Sequence, residues 1–257
     1  MTALIEFRDV ELSFGETLVL GGLNFSVRRG EIVCLVGPSG CGKTTALRVA
    51  SGLMAPTRGE VRFDGARVEG PRRDVAIVFQ DYAKALLPWR TAAGNVSLAL
   101  EAMSVPRGKR AQRVGELLDR VGLLRHAFKY PSEMSGGMQQ RLQIARCLAQ
   151  QPLALMMDEP FGALDAMTRQ SLQDEMLQIA SAADATILFV THDLEEAIYL
   201  GDRVIGLAPH PGRIGIELDV ALPRPRNQVF TREDPEFLRL RRQLYDFIHT
   251  AEKGAAR

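Results

Sequence analysis

Ile32 to Thr44 reads IVCLVGPSGCGKT. Five apolar residues in a row, Ile32 to Val36, are the pattern of a strand buried on both faces. They lead straight into Gly37-Pro38-Ser39-Gly40-Cys41-Gly42-Lys43-Thr44, a match to G-x-x-x-x-G-K-[ST], with Thr45 next and a helix-like stretch ending near Gly52. The glycines free backbone N–H groups to wrap phosphate oxygens. Lys43 is placed to reach the β- and γ-phosphates of a nucleotide, and the Thr44 hydroxyl to bind Mg²⁺. Cys41 reads as a small filler of the loop, with a reactive thiol at a helix end as the alternative.

Upstream of this loop, Leu4 to Phe14 alternates apolar and polar residues, the period of a half-buried strand. After the Gly15-Glu16 turn, Leu18 to Val27 reads as a second strand, so an antiparallel β part is expected at the N-terminus. Downstream, Glu60 to Asp64 and Asp74 to Phe79 read as short strands. From Gln80 to about Gln150 the patterns turn helical, over 95–103, 109–121 and 138–150. Strands return at 153–157, 186–190 and 204–208, separated by helical stretches. Such alternation predicts a mainly parallel sheet with right-handed crossovers, whose ligands sit at the carboxyl ends of the strands. The tail, from about Pro209, reads as a strand, an extended arm containing LPRPR and a packing helix over 235–250. The expectation is an α/β P-loop core of residues 1–80 and 151–220, with a helical stretch of residues 81–150 between its two parts, and a C-terminal arm and helix of residues 221–257.

The 257 residues carry a formal net charge of +1, so no general attraction to nucleic acid is indicated and no nucleic-acid partner is expected. Three widely spaced cysteines form neither a metal spacing nor a disulfide framework. MTALIEF lacks a basic flank followed by an apolar run, so no secretory leader is expected. No stretch approaches the ~18 apolar residues of a membrane span.

A phosphate loop says nucleotide and no more; three further signals narrow the chemistry. LALMM ends in Asp158-Glu159, which places two carboxylates at the sheet edge. Asp158 suits Mg²⁺, directly or through water, and Glu159 is then free to polarise a water towards the γ-phosphate. Their alternative is a plain cap of the next helix. TILFV ends in Thr191-His192-Asp193, where His192 can bond the γ-phosphate and orient the water. Gln80 follows DVAIVF, and its neutral amide can touch Mg²⁺ or the attacking water. Finally, Met134 to Arg141 reads MSGGMQQR. Ser135, Gly136 and Gly137 before a helical stretch form a second anion cradle.

Taken in order, Phe14, the phosphate loop, Gln80, SGGMQQR, LMMDEP, Ala163 to Asp165 and His192 resemble the ATP-binding cassette ATPases over almost the whole chain. The resemblance implies a P-loop NTPase core with residues 81–150 as an inserted helical subdomain, and an aromatic face against adenine, a role that falls on Phe14, where tyrosine is commoner. Phe14 as a core strand residue is the alternative. It also implies a homodimer clamping two Mg-ATP, each on the loop of one copy and under Ser135-Gly136-Gly137 of the other, with Asp165 at the seam. Within that family, one cassette without a membrane span, a coiled-coil insertion or a CxxC hook points to the detached ATPase subunit of a bacterial importer. ALLPWRTAAGN (residues 85–95) and LPRPR resemble the nitrate/sulfonate/taurine importer group. Two transmembrane permease subunits and, indirectly, a solute-binding protein are then the expected partners, and the cytoplasmic face of the inner membrane the expected place. Leu86 to Trp89 is expected to receive a short helix of the permease, with simple packing as the alternative. A cytosolic ATPase regulator without a membrane partner is the rival reading.

Overall fold

The computed structural model describes residues 2–162 and 164–255; Ala163, of the motif after LMMDEP, lies outside the described residues. The alternation at the start of the chain becomes β1 (Ala3–Phe14) and β2 (Thr17–Arg28), an antiparallel hairpin. Its inward rings stack, Phe7 on Phe25 with centroids 4.2 Å apart. The apolar run is β3 (Ile32–Val36), buried at every position, and it is followed by α1 (Lys43–Ala50). β4 (Arg58–Phe63) and the two-residue β5 (Ala66–Arg67) complete the first sheet in the order β2-β1-β4-β5.

Next come β6 (Val75–Val78) and the helices α2 (Tyr82–Ala85), α3 (Ala92–Ala102), α4 (Arg107–Arg120) and α5 (Gly136–Leu148). The remaining core alternates as β7 (Ala154–Asp158), α6 (Ala166–Ala183), β8 (Thr186–Val190), α7 (Leu194–Leu200) and β9 (Arg203–Ala208). β10 (Arg213–Asp219), α8 (Phe230–Glu233) and α9 (Pro235–Ala255) close the chain. The second sheet has the order β10-β9-β3-β8-β7-β6. Its strands are parallel except β10, which runs antiparallel to β9.

Strand period divides the interior in two. From β3, Val33 and Leu35 face a core shared with α1 and the first sheet, so α1 lies between the sheets. Ile32, Cys34 and Val36 face the other core, with Leu142 of α5, Leu172 of α6, Ile198 of α7 and Phe237 of α9. β7 and β8 divide the same way, Met156 and Leu188 on one side, Met157 and Phe189 on the other. This is why their runs show no alternation: both faces are covered.

Two helix starts lie earlier than the apolar pattern predicts. α3 begins at Ala92 because the Thr91 hydroxyl caps it, accepting the Gly94 N–H at 3.1 Å. α5 begins at Gly136 because Ser135 caps it, accepting the Met138 N–H at 3.4 Å. Both glycines of the pair are thus in the first turn of α5. A Cβ at Gly137 would stand 2.6 Å from Thr168 Cγ2 on α6, so close helix packing requires its bare backbone.

Candidate functional site

β3, β8, β7 and β6 are consecutive strands and all parallel, so their carboxyl ends line one edge. β3 delivers the glycine loop, β7 ends in Asp158 with Glu159 directly after, β8 leads to His192, and β6 to Gln80. Chain-distant residues are thereby brought onto one edge, the position where open α/β sheets hold ligands.

The loop passes close over β9. A Cβ on Gly37 would fall 2.6 Å from Leu207 O, which no larger residue tolerates. Lys43 is buried within the loop, its Nζ donating to Gly37 O at 2.7 Å and Pro38 O at 3.0 Å. Cys41 packs into the core below. Burial pushes its thiol up, so it stays protonated and serves as the filler. The Thr44 hydroxyl donates to Asp158 Oδ1 at 2.9 Å. Burial raises the Asp158 carboxyl, and this hydrogen bond opposes the rise.

Glu159 stands at φ +43°, a left-handed conformation rare for a side-chain-bearing residue, which costs of order 1–3 kcal/mol and clusters at functional sites. Its N–H donates to Val190 O at 2.9 Å, locking the turn to β8. Its carboxylate receives two further groups. Gln80 Nε2 donates to Oε2 at 3.2 Å, and His192 Nδ1 lies 3.1 Å from the same oxygen. With the proton on Nδ1 the second contact is also a hydrogen bond, which leaves the other ring nitrogen free. The structure thus gathers Gln80, Glu159 and His192 around a single carboxylate.

A cleft of about 570 Å³ separates the loop from these groups, bordered by Ser39, Gly40, Gly42, Lys43, Thr44 and Thr45 together with Gln80, Glu159 and His192. A second cavity, of about 450 Å³, opens at the other end of the sheet beside Arg29, Asp184 and Asp202 and holds none of the site residues. Thr44 and Asp158 offer hard oxygens side by side. That fits Mg²⁺, which takes one or two protein oxygens and completes its shell with water and phosphate. Among the described residues no group of three or more His, Cys, Asp or Glu is arranged to hold a metal by itself.

Phe14 and the second glycine cradle do not border this cleft. Phe14, at the end of β1, is 53% exposed and outside its lining. Ser135 and Gly136 head α5 and Gly137 is buried against α6, all three outside its lining. Two further residues shape the site. Val19 of β2 completes the lining, a strand residue with no distinguishing pattern. Gln143, fully buried on α5, brackets the Phe79 backbone beside Gln80. With its amide oriented to satisfy both bonds, its oxygen accepts the Phe79 N–H at 2.7 Å and its nitrogen donates to Phe79 O at 3.3 Å. A glutamine on the buried face of a helix is the signal that could have found it.

Comparison with known proteins bears on this geometry. The sequence model for ABC transporter matches residues 20–162. The chain is similar to the nitrate transport protein NasD of Klebsiella oxytoca, 41% identical with all of both chains covered. It is 45% identical to the aliphatic sulfonates import ATP-binding protein SsuB 2 of Burkholderia lata, over 99% of this chain and 89% of that one. Among solved structures, the ATP-binding cassette MJ0796, dimeric in a post-hydrolysis state with ADP and Pi, matches with a TM-score of 0.73 and 32% identity over 84% of this chain and 98% of its own. Likeness of this extent over the whole chain decides the family, and the cleft fits its chemistry: the chain belongs to the ABC transporter family and is one of its ATPases.

Proposed function

We propose that the chain is the ATP-hydrolysing subunit of an importer for a small solute such as nitrate, a sulfonate or taurine. Two copies work together beneath two permease subunits on the cytoplasmic face of the cell membrane, with a solute-binding protein delivering the cargo outside. The observation that carries the hydrolytic part is the Glu159 carboxylate, held by Gln80 and His192 across the cleft from the phosphate loop. The names of the full-length relatives support the importer part.

In this reading the loop N–H groups hold the β- and γ-phosphates, and Lys43 exchanges its two loop carbonyls for phosphate oxygens. Thr44 and Asp158 would hold Mg²⁺, which when bound would supply charge neutralisation for the phosphates. Glu159 accepts the proton of the attacking water, His192 and Gln80 fix its carboxylate, and Phe14 offers a face to adenine. Ser135, Gly136 and Gly137 of the second copy cover the γ-phosphate, with Asp165 at the seam. Residues 81–150 act as a helical subdomain that carries this cover and meets the permease.

The meeting surface is aromatic. Trp89 is 71% exposed and Phe128 87%. They lie on neighbouring segments, since Ala92 and Ala93 at the start of α3 donate backbone bonds to Lys129 O and Ala127 O, both at 2.8 Å. Beneath, Leu86 is buried and Leu87 half-buried. Buried Asn95 shapes the turn, accepting the Leu87 N–H at 2.9 Å and donating to the carbonyls of Leu87, Arg90 and Thr91. Leu87 is therefore partly a packing residue, and Trp89 with Phe128 is the exposed pair suited to anchor a partner helix. Replacing both by Asp is expected to leave ATPase activity of the isolated chain within about twofold, as surface changes away from the site do, and to abolish solute uptake by the reconstituted importer. Retained uptake would remove this patch from the docking surface. Co-purification tests the rival reading: an importer subunit is expected to bring two hydrophobic permease chains with it, and a chain that purifies from its native cells without them would favour a cytosolic regulator.

A further inference from the structure

The LPRPR arm has no part in the cleft, yet its polar side chains converge on one short helix. Arg226 Nη1 donates to Ile198 O at 3.0 Å and Tyr199 O at 2.6 Å. Arg224 Nη2 donates to Leu200 O at 3.2 Å and Asp202 Oδ1 at 2.6 Å. These carbonyls are at the C-terminal end of α7, where cations and donors satisfy both the open acceptors and the helix dipole. Arg232 Nη1 reaches Glu195 Oε2 at 2.6 Å, and Arg241 of α9 the other oxygen at 3.0 Å. Gln228 Nε2 donates to Asp174 Oδ1 at 2.8 Å, which also takes the Tyr199 hydroxyl at 2.5 Å. Burial pulls the Arg226 guanidinium down to about 10, so it remains charged at neutral pH.

A helix of seven residues is not stable by itself. α7 follows His192 after a single residue, Asp193, whose carboxylate caps it by accepting the Glu195 and Glu196 N–H groups. Whatever fixes α7 along its axis therefore fixes the backbone on which the His192 ring stands.

We propose that Arg224, Arg226, Gln228 and Arg232 form a strap of positioning residues that holds α7, and through it His192, in register with Glu159. The proposal rests on the reading of His192 as a hydrolysis residue for its effect on rate, and on geometry alone for its effect on α7. None of the four borders the cleft. Their loss should lower kcat and leave ATP binding in place, because displacing a site group by a fraction of an ångström costs rate before it costs affinity.

The test is Arg226→Ala in the full chain, with Arg226→Lys as the conservative variant. Three quantities are read: hydrogen exchange of the 194–200 amides, the NMR signals of the His192 imidazole, and kcat with KM for ATP. Exchange over 194–200 is expected to rise at least about tenfold while β3 and β8 amides stay protected. The imidazole signals shift, kcat falls on the order of tenfold with KM within about twofold, and Lys restores part of each. If Arg226→Ala fails to fold, the half-buried Arg232→Ala gives the same readouts. Unchanged exchange and unchanged imidazole signals would overturn the strap, as would a loss confined to KM. Parental kcat in His192→Ala would instead overturn the role of His192. The exchange and imidazole readouts do not pass through hydrolysis and would still judge the strap.

Discussion

Glu159→Gln is expected to bind ATP about as tightly as the parent and to hydrolyse it at least about a hundredfold more slowly, the scale of a lost general base. The substitution keeps shape and volume, so the turn at φ +43° and the N–H bond to Val190 O are undisturbed. The amide oxygen can still accept from Gln80 or His192. What vanishes is the negative charge and the capacity to take a proton. Phosphate binding should survive, since the loop, Lys43 and the Thr44–Asp158 pair are separate from that oxygen. With binding intact and turnover blocked, the ATP-bound pair of copies should accumulate, visible as a dimer by light scattering with ATP and as a monomer without it. Rapid multiple turnover by this variant would sink the assignment of Glu159 as the base.

The fold was legible where burial leaves a one-dimensional trace. The run at Ile32–Val36 reads as a doubly covered strand because cores lie on both of its faces. The loop after it carries its own spacing. α5 starts two residues before its apolar pattern does, a start hidden in the sequence because glycines read as breakers. Only the Ser135 cap and the Thr168 contact explain why both sit inside the helix. For the site, residue types were legible and their meeting was not. Gln80 and Glu159 are 79 residues apart, and their contact depends on β6 and β7 being neighbours, which no local pattern states. The same holds for the arm. LPRPR is conspicuous as a string, but the acceptors of its arginines are backbone carbonyls of α7, and carbonyls leave no mark in a sequence. Phe128 escaped because a lone aromatic in a polar loop has no period.

Ser135→Arg is expected to abolish ATP hydrolysis, at least about a hundredfold, while the affinity of the isolated chain for ATP changes little; a single lost site donor costs this much where charge develops. Ser135 is exposed and borders no part of the chain's own cleft, so a purely local role would limit its loss to the helix cap, about 1 kcal/mol. An effect far beyond that needs a γ-phosphate from elsewhere. A second copy supplies one if the N-terminus of α5 closes over that copy's loop, where the bulk and charge of arginine would prevent closure. Ser135→Ala sets the scale of the cap alone and should retain most of the stability. Geometry can be tested apart from rate. Cys34, Cys41 and Cys147 are all buried, so thiols engineered at Ser135 and Ser39 would be the reactive ones. In the Glu159→Gln background these two should join different copies in the presence of ATP and not without it. If no inter-chain bond forms with ATP, or if Ser135→Arg hydrolyses at the parental rate, the second glycine cradle serves its own helix and nothing more.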